Sequence, residues 1–397
     1  MIRKILASDF LSTMLSAAVN IYMYWFAYDY SHDQQMIAIV GASQLFAILL
    51  TTIGGGISDK YNKVKFMKLI LILRICVLIA SVLLVKTIAI PILLALFMFV
   101  MTVLNSLTAP TLESIVPLLA KDEEELYKLN SLSSTLTQIA NILAIALSAF
   151  YISFLAYREV MIVSLLICIL SLLVLWRVKV HNDSSFDESV LQNILKGVRY
   201  IWSKTYIRNL VPVALIMNFC FWSIYLLLPK VTIDRFDFFK ASFSTLELSF
   251  SIGGIIGGML FSLFLSKVTN RFLLFKMFIF IQGSLLLFMG LSLLMNDTTI
   301  SYMLVLILWG SYALANTIVS INYFGSVQIN TPNEIMGSVF GAIMSIFSLI
   351  NPLAAISTSL ISKFLTVPSQ IILFSIIMIL SSVSLSRIEG VKEAFSH

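Results

Sequence analysis

The sequence predicts an all-α integral membrane protein, with about twelve transmembrane helices arranged as two six-helix halves. Three observations carry this reading. Hydrophobic residues make up 59% of the 397 and charged residues only 12%, with a mean hydropathy of +0.98. A soluble domain cannot enclose that much apolar surface, so the bilayer must be the solvent for most of the chain. The apolar residues come in continuous runs of about 20 and do not alternate, which selects helices over the strands of a barrel. A long polar and then amphipathic connection divides the chain near its middle.

In chain order the spans are expected near 5–28, 35–57, 67–86, 88–112, 130–155, 159–178, 209–229, 243–266, 272–295, 299–323, 335–362 and 367–386. The first run is too long for a signal-peptide core and lacks a small-residue cleavage site, so it is read as a span. With the first residues placed inside, the outer segments hold Lys86, Arg158, Lys230, Arg235, Lys240 and Lys363, and Arg74 falls within a span. Every other lysine and arginine falls on the inner side, so the positive-inside bias places both termini in the cytoplasm of a multi-pass protein. The Ile-, Lys- and Asn-rich usage points to an AT-rich bacterial genome, and the expected location is the bacterial plasma membrane. The net charge of +6 is thus an orientation signal and not a nucleic-acid footprint.

The connection from Lys179 to Arg208 opens with the polar run HNDSSFDES and continues with Val190, Leu191, Ile194, Leu195, Val198, Ile201 and Trp202. That is helical spacing, with Gln192, Lys196, Arg199 and Lys204 on the other face, so a helix lying on the inner membrane surface is expected. The organisation is then 1–178, a linker over 179–208, and 209–397. Two halves so joined are the arrangement of transporters built from repeats, and the glycine-then-basic stretches 55–68 and 257–276 echo one another. Cys76, Cys168 and Cys220 sit far apart in apolar runs and read as packing residues. No metal-ligand spacing, cofactor motif, Walker sequence or nucleophile elbow stands in the chain, so an enzyme is not expected. The expected partners are the lipid bilayer, a small-molecule substrate and protons, with the chain acting as a monomer and binding no nucleic acid.

A transport path needs polar groups at helical spacing to line a cavity. Span one offers Asp9, Thr13, Ser16, Asn20 and Tyr24; span four Thr102 and Asn105; span five Ser134, Gln138 and Asn141. Span seven offers Asn218, Trp222 and Tyr225, and span ten Trp309, Asn316 and Tyr323. Each such group also fits an interhelical hydrogen bond contributing about 1 kcal/mol. For the stripes as a set, cavity lining is the stronger reading, because their polar faces otherwise meet lipid.

Carboxylates inside spans are costly and mark function. Glu247, followed on one face by Ser251, Gly254 and Gly258, is the first candidate for proton coupling or for binding a cationic cargo. Glu113 and Asp9, nearer the inner ends, are the other two, with pairing to Lys4, Arg3 or Arg74 as the plainer alternative. The pairs Gly253/Gly257 and Gly254/Gly258 permit close helix approach.

The stretch GGGISDKYNKVKFM, residues 54–67, resembles the loop signature of the major facilitator superfamily. Gly55, Asp59, Lys60 and Lys63 match that signature, and Asn62 stands where glycine is usual, as a residue able to adopt the left-handed turn. The resemblance implies that these residues form a conformational latch, with Asp59 facing the start of span eleven near Asn333 to Gly337. Residues 109–131, 196–208 and 328–341 are similar to the macrolide-efflux-like branch, which also includes siderophore exporters. The span-four arginine and span-five Gly-Pro of many proton-antiporting relatives outside that branch are absent. The resemblance implies an exporter of macrolide-like drugs or related compounds by proton antiport. A siderophore or other metabolite exporter, or a membrane sensor on the same fold, is the alternative.

Overall fold

The structure is a computed structural model that describes residues 1–31, 51–87, 89–178, 190–236, 242–388 and 390–395. The predicted span 35–57 lies outside the described residues up to residue 50, as does the polar run 181–189. Among the described residues the chain is helical throughout, and eleven of its helical segments are long and apolar enough to cross a membrane.

The helices before the linker are α1 (Ile2–Ser31), α2 (Thr51–Lys60), α3 (Lys63–Leu84), α4 (Ile90–Leu119), α5 (Glu123–Phe154) and α6 (Tyr157–Trp176). The linker helix α7 (Val190–Ser203) leaves Leu191, Leu195 and Trp202 exposed, as an interfacial helix must. After it come α8 (Thr205–Tyr225), α9 (Leu228–Arg235), α10 (Ser242–Leu263), α11 (Arg271–Ser292), α12 (Thr298–Ile329), α13 (Met336–Ser348), α14 (Ile350–Ile361) and α15 (Val367–Ser384).

Several predicted spans prove longer or broken. The fourth runs to Leu119, the fifth starts at Glu123 and the tenth reaches Ile329, beyond the expected ends 112, 130 and 323. Their extra turns satisfy polar side chains with protein partners: Ser114 and Ser58 hydroxyls stand 3.1 Å apart, and the Asn130 amide donates to Gln328. The seventh span breaks between α8 and α9, where Pro229 opens the new helix. The eleventh breaks at Leu349 into α13 and α14.

The helices form two compact units. Unit 1 comprises residues 1–119, 139–200 and 331–345; unit 2 comprises 120–138, 201–330 and 346–397. In unit 1 an apolar cluster that includes Tyr22, Leu78, Phe97, Tyr151 and Met161 joins α1, α3, α4, α5 and α6. Hydroxyl pairs tie it together, Ser8 to Ser171 at 2.8 Å and Ser81 to Tyr157 at 2.5 Å. Lipid offers no drive for helices to associate, so such bonds and close packing must do so.

Unit 2 uses glycine for the same end. On α10, Gly253 and Gly257 press against the backbone of α12 at Gly310 and Leu314, while Gly254 and Gly258 face Gln138 and Thr135 of α5. A methyl group at Gly253 would sit inside contact distance of the Gly310 carbonyl oxygen. Gly253→Ala is therefore expected to cost about 1–3 kcal/mol through forced separation of α10 and α12. Thermal unfolding of the detergent-solubilised protein checks this; an unchanged midpoint would contradict it.

Candidate functional site

The described residues form three polar constellations. The first is at the end of α2. Asp59 is buried, and its carboxylate accepts the backbone N–H of Gly337 and of Ser338, each at 2.6 Å. Both amides belong to the first turn of α13, where helix N–H groups lack intrahelical partners and the dipole favours an anion. Lys63, also buried, stands 3.4 Å from the same carboxylate. Gly55 permits the approach, because a side chain there would meet the Gly337 carbonyl. The predicted pairing of Asp59 with the start of span eleven thus falls on Gly337 and Ser338.

Two members of the motif play other parts. Lys60 stands 5.9 Å from the Tyr61 ring. Asn62 is not left-handed, as its residue type suggested. It adopts φ −59° and ψ 114° and caps α3, its side chain accepting from the Lys65 N–H at 3.1 Å. An amide-bearing side chain at that position is useful as a helix cap, where glycine contributes only backbone freedom.

The second constellation is a cavity of about 230 Å³ inside unit 2. Asn218 and Trp222 of α8 and Asn316, Ser320 and Tyr323 of α12 line it, with Phe221, Phe275, Phe324 and Phe347 supplying aromatic wall. No charged side chain is among its described lining residues. Gln282, wholly buried, points its amide nitrogen to Asn316 Oδ1 at 3.4 Å and leaves its own oxygen without a partner, as is the Tyr323 hydroxyl. Asn218, Trp222 and Asn316, expected as separate stripes on two spans, converge here. Trp309 does not line the cavity: it is fully buried behind Phe221, stacked at 6.2 Å, and against Tyr312 at 5.3 Å.

Tyr225 extends the same aromatic wall, 5.4 Å from Trp222, and its hydroxyl hydrogen-bonds to Glu247 of α10. Glu247 Oε1 is buried and has no partner. The carboxylate expected in span eight therefore stands at the edge of an aromatic cluster, tethered by one phenol. Gly254, on the same face of α10 as Glu247, packs against Gln138 in the same unit.

The third constellation lies in unit 1. Arg74 is only 2% exposed, so it does not snorkel. Its guanidinium donates to Ser12, to Asn105 Oδ1 at 2.6 Å and to Thr108 at 3.1 Å, and Ser16 donates to the same Asn105 oxygen at 2.9 Å. Asp9 lines the small void beside Arg74 and interacts electrostatically with it and with Glu113. Asp9, Glu113 and Asn105, each half-buried, are thus parts of one polar network centred on the buried Arg74. Asn20 and Asn141 are half-buried in unit 1, and Tyr24 packs against its apolar cluster. Ser12, Thr108 and Gln282 were missed in the sequence, since a lone polar residue in an apolar run carries no sign of its partner.

Comparison with known proteins agrees with this architecture. The chain is 24% identical to Macrolide efflux protein A of Streptococcus pyogenes over 272 residues, which is 66% of this chain and 64% of that protein. It is 25% identical to Macrolide efflux protein A of Enterococcus faecalis over 198 residues, 49% of this chain and 61% of that one. The match thus spans less than two thirds of either relative. Among solved structures, the human organic anion transporter MFSD10 superposes with a TM-score of 0.74 at 14% identity, covering 96% of this chain and 99% of that one. The E. coli fucose:proton symporter FucP gives 0.71 at 12% identity, over 95% and 96%. A bacterial homologue of the iron transporter ferroportin gives 0.70 at 14% identity over 98% of both chains. The family model of the Major Facilitator Superfamily matches residues 5–355, and with the helical architecture described above this chain belongs to that family of membrane transporters.

Proposed function

We propose that this protein is a secondary active exporter of small amphipathic, macrolide-like molecules in the bacterial plasma membrane. Proton antiport drives it, by alternating access of two six-helix halves, 1–178 and 209–397, joined by the linker 179–208. The observation that carries the cargo class is the cavity of unit 2. Amides and hydroxyls of Asn218, Asn316, Ser320 and Tyr323 face an aromatic wall, with no fixed charge among the described lining residues to repel an oxygen-rich amphipathic molecule. At about 230 Å³ the cavity is smaller than a drug-sized site, so it serves as a subsite for one polar group of a larger cargo. The likeness to macrolide efflux proteins supports the same class and the outward direction.

The test is accumulation in inside-out vesicles that contain the chain, using erythromycin as the probe and an acid-inside pH gradient. Gradient-dependent accumulation that collapses with a protonophore is the expected result. Loss of dependence on the gradient removes proton antiport, and no macrolide accumulation removes the cargo class. Asn316→Leu should raise the KM for the macrolide about tenfold through one lost cavity hydrogen bond, with its amide partner Gln282 left unpaired. Unchanged KM in that variant would take the cavity out of the cargo path.

A further inference from the structure

A second cavity, of about 560 Å³, lies in unit 2 at the helix ends that the charge pattern places outside. It is walled by α9, by the end of α11 and by the turn between α14 and α15. Among the described residues its lining carries three cations, Lys230, Arg235 and Lys363, against one carboxylate, Asp234. That is an unusual concentration of positive charge for the outer side, where the sequence places few basic residues.

The cations differ in rigidity. Arg235 is fixed, because its guanidinium donates to the Met295 carbonyl and to Ser301. Lys230 and Asp234 stand 4.0 Å apart and are 61% and 60% exposed, so their pair is weak and leaves the ammonium able to turn to another anion. Lys363 is exposed on the facing turn.

Gln370 lines the same cavity and is completely buried. Its amide nitrogen donates to the Leu365 carbonyl at 3.1 Å and to the Ser362 hydroxyl at 3.0 Å, which fixes the orientation of the amide. Its oxygen is left without a partner. A buried acceptor of this kind calls for a donor from a ligand. The rim is apolar: Phe364 is 85% exposed and Leu365 37%.

Cations for a phosphate, an acceptor for a hydroxyl and an apolar rim for chains describe one ligand. We propose that this cavity binds the headgroup of an anionic, hydroxyl-bearing phospholipid of the phosphatidylglycerol type. Arg235, Lys230 and Lys363 hold the phosphodiester, the headgroup hydroxyl donates to Gln370 Oε1, and the acyl chains run along Phe364 and Leu365.

The experiment titrates the detergent-purified full chain with dioctanoyl phosphatidylglycerol and follows its unfolding temperature. A saturable rise is expected. The double variant Lys230→Gln, Lys363→Gln, in which both side chains are exposed and folding is preserved, should need about thirtyfold more lipid, the loss expected of two interfacial cations. Gln370→Leu should weaken the lipid while leaving inorganic phosphate unaffected. An equal rise with dioctanoyl phosphatidylcholine, or no difference between wild type and the double variant, would overturn the proposal. Inorganic phosphate reproducing the whole effect at the same concentration would overturn the lipid as its source. Cargo accumulation is measured separately, so failure here leaves the exporter reading intact.

Discussion

Asp59→Asn is expected to lower cargo turnover at least tenfold while leaving KM and the order of cargo preference unchanged. The carboxylate accepts two amide N–H groups with separate oxygens and faces Lys63 at 3.4 Å. Asparagine has one carbonyl oxygen, so its NH2 group must be turned toward either Gly337 N–H or Ser338 N–H, and that bond becomes a repulsion. A hydrogen bond to a charged group contributes about 1.5–3 kcal/mol, and a buried lysine left without its acid adds about 3–5 kcal/mol. Even the lower figure shifts a two-state equilibrium by roughly tenfold. The arrangement in which α2 holds α13 is thereby depleted, and every cycle that passes through it slows. None of the lining residues of the unit 2 cavity belongs to this cluster, so recognition should be untouched. Transport kinetics on two cargoes, with equal amounts of monodisperse protein, decide the matter. Normal turnover with an altered cargo profile would contradict the latch.

Much of this architecture is written locally. Continuous apolar runs and the basic loops between them mark spans because burial in hydrocarbon is a property of each segment by itself. The helical spacing of residues 190–202 likewise gives the linker helix directly. What depends on a partner is less visible. The fourth and tenth spans continue through Ser114 and Ser326 because those hydroxyls find Ser58 and the Ala394 carbonyl, residues far off in the chain. Arg74 stands out as a cation in a span, but its acceptors Ser12, Asn105 and Thr108 come from α1 and α4, and no spacing announces them. The cavity was half legible. Asn218, Trp222 and Asn316 are polar or amphipathic residues on predicted stripes, whereas Trp309, on the same stripe as Asn316, turns into an aromatic stack. Period alone fixes a face only to within the width of a helix side, and packing chooses within it. The motif around Asp59 carried furthest, because a carboxylate beside glycine and lysine at fixed spacing defines a mutual geometry and not merely a face.

Glu247→Gln is the variant with the largest expected effect on coupling. In the present arrangement the Tyr225 hydroxyl bonds to the carboxylate, whose Oε1 is buried with no partner. An ionised carboxylate in that setting carries an uncompensated cost, which a bound proton or a cationic group on the cargo removes. The site can therefore alternate between two occupied states, proton or cargo cation, and exclusion of one by the other is what antiport requires. Glutamine keeps the shape and can still accept from Tyr225, but it neither takes up a proton nor attracts a cation. Gradient-driven accumulation should fall at least a hundredfold, while cargo exchange without a gradient continues at a rate near that of wild type, on the scale of about 2.7 kcal/mol of lost driving interaction. Tyr225→Phe, which leaves the acid in place but removes its tether, should give an intermediate loss. Loss of exchange together with accumulation would instead assign Glu247 to holding the cargo cation, and a variant indistinguishable from wild type in both assays would remove Glu247 from the mechanism. The network in which Asp9 faces both the fixed cation of Arg74 and the Glu113 carboxylate would then be the next candidate for proton exchange.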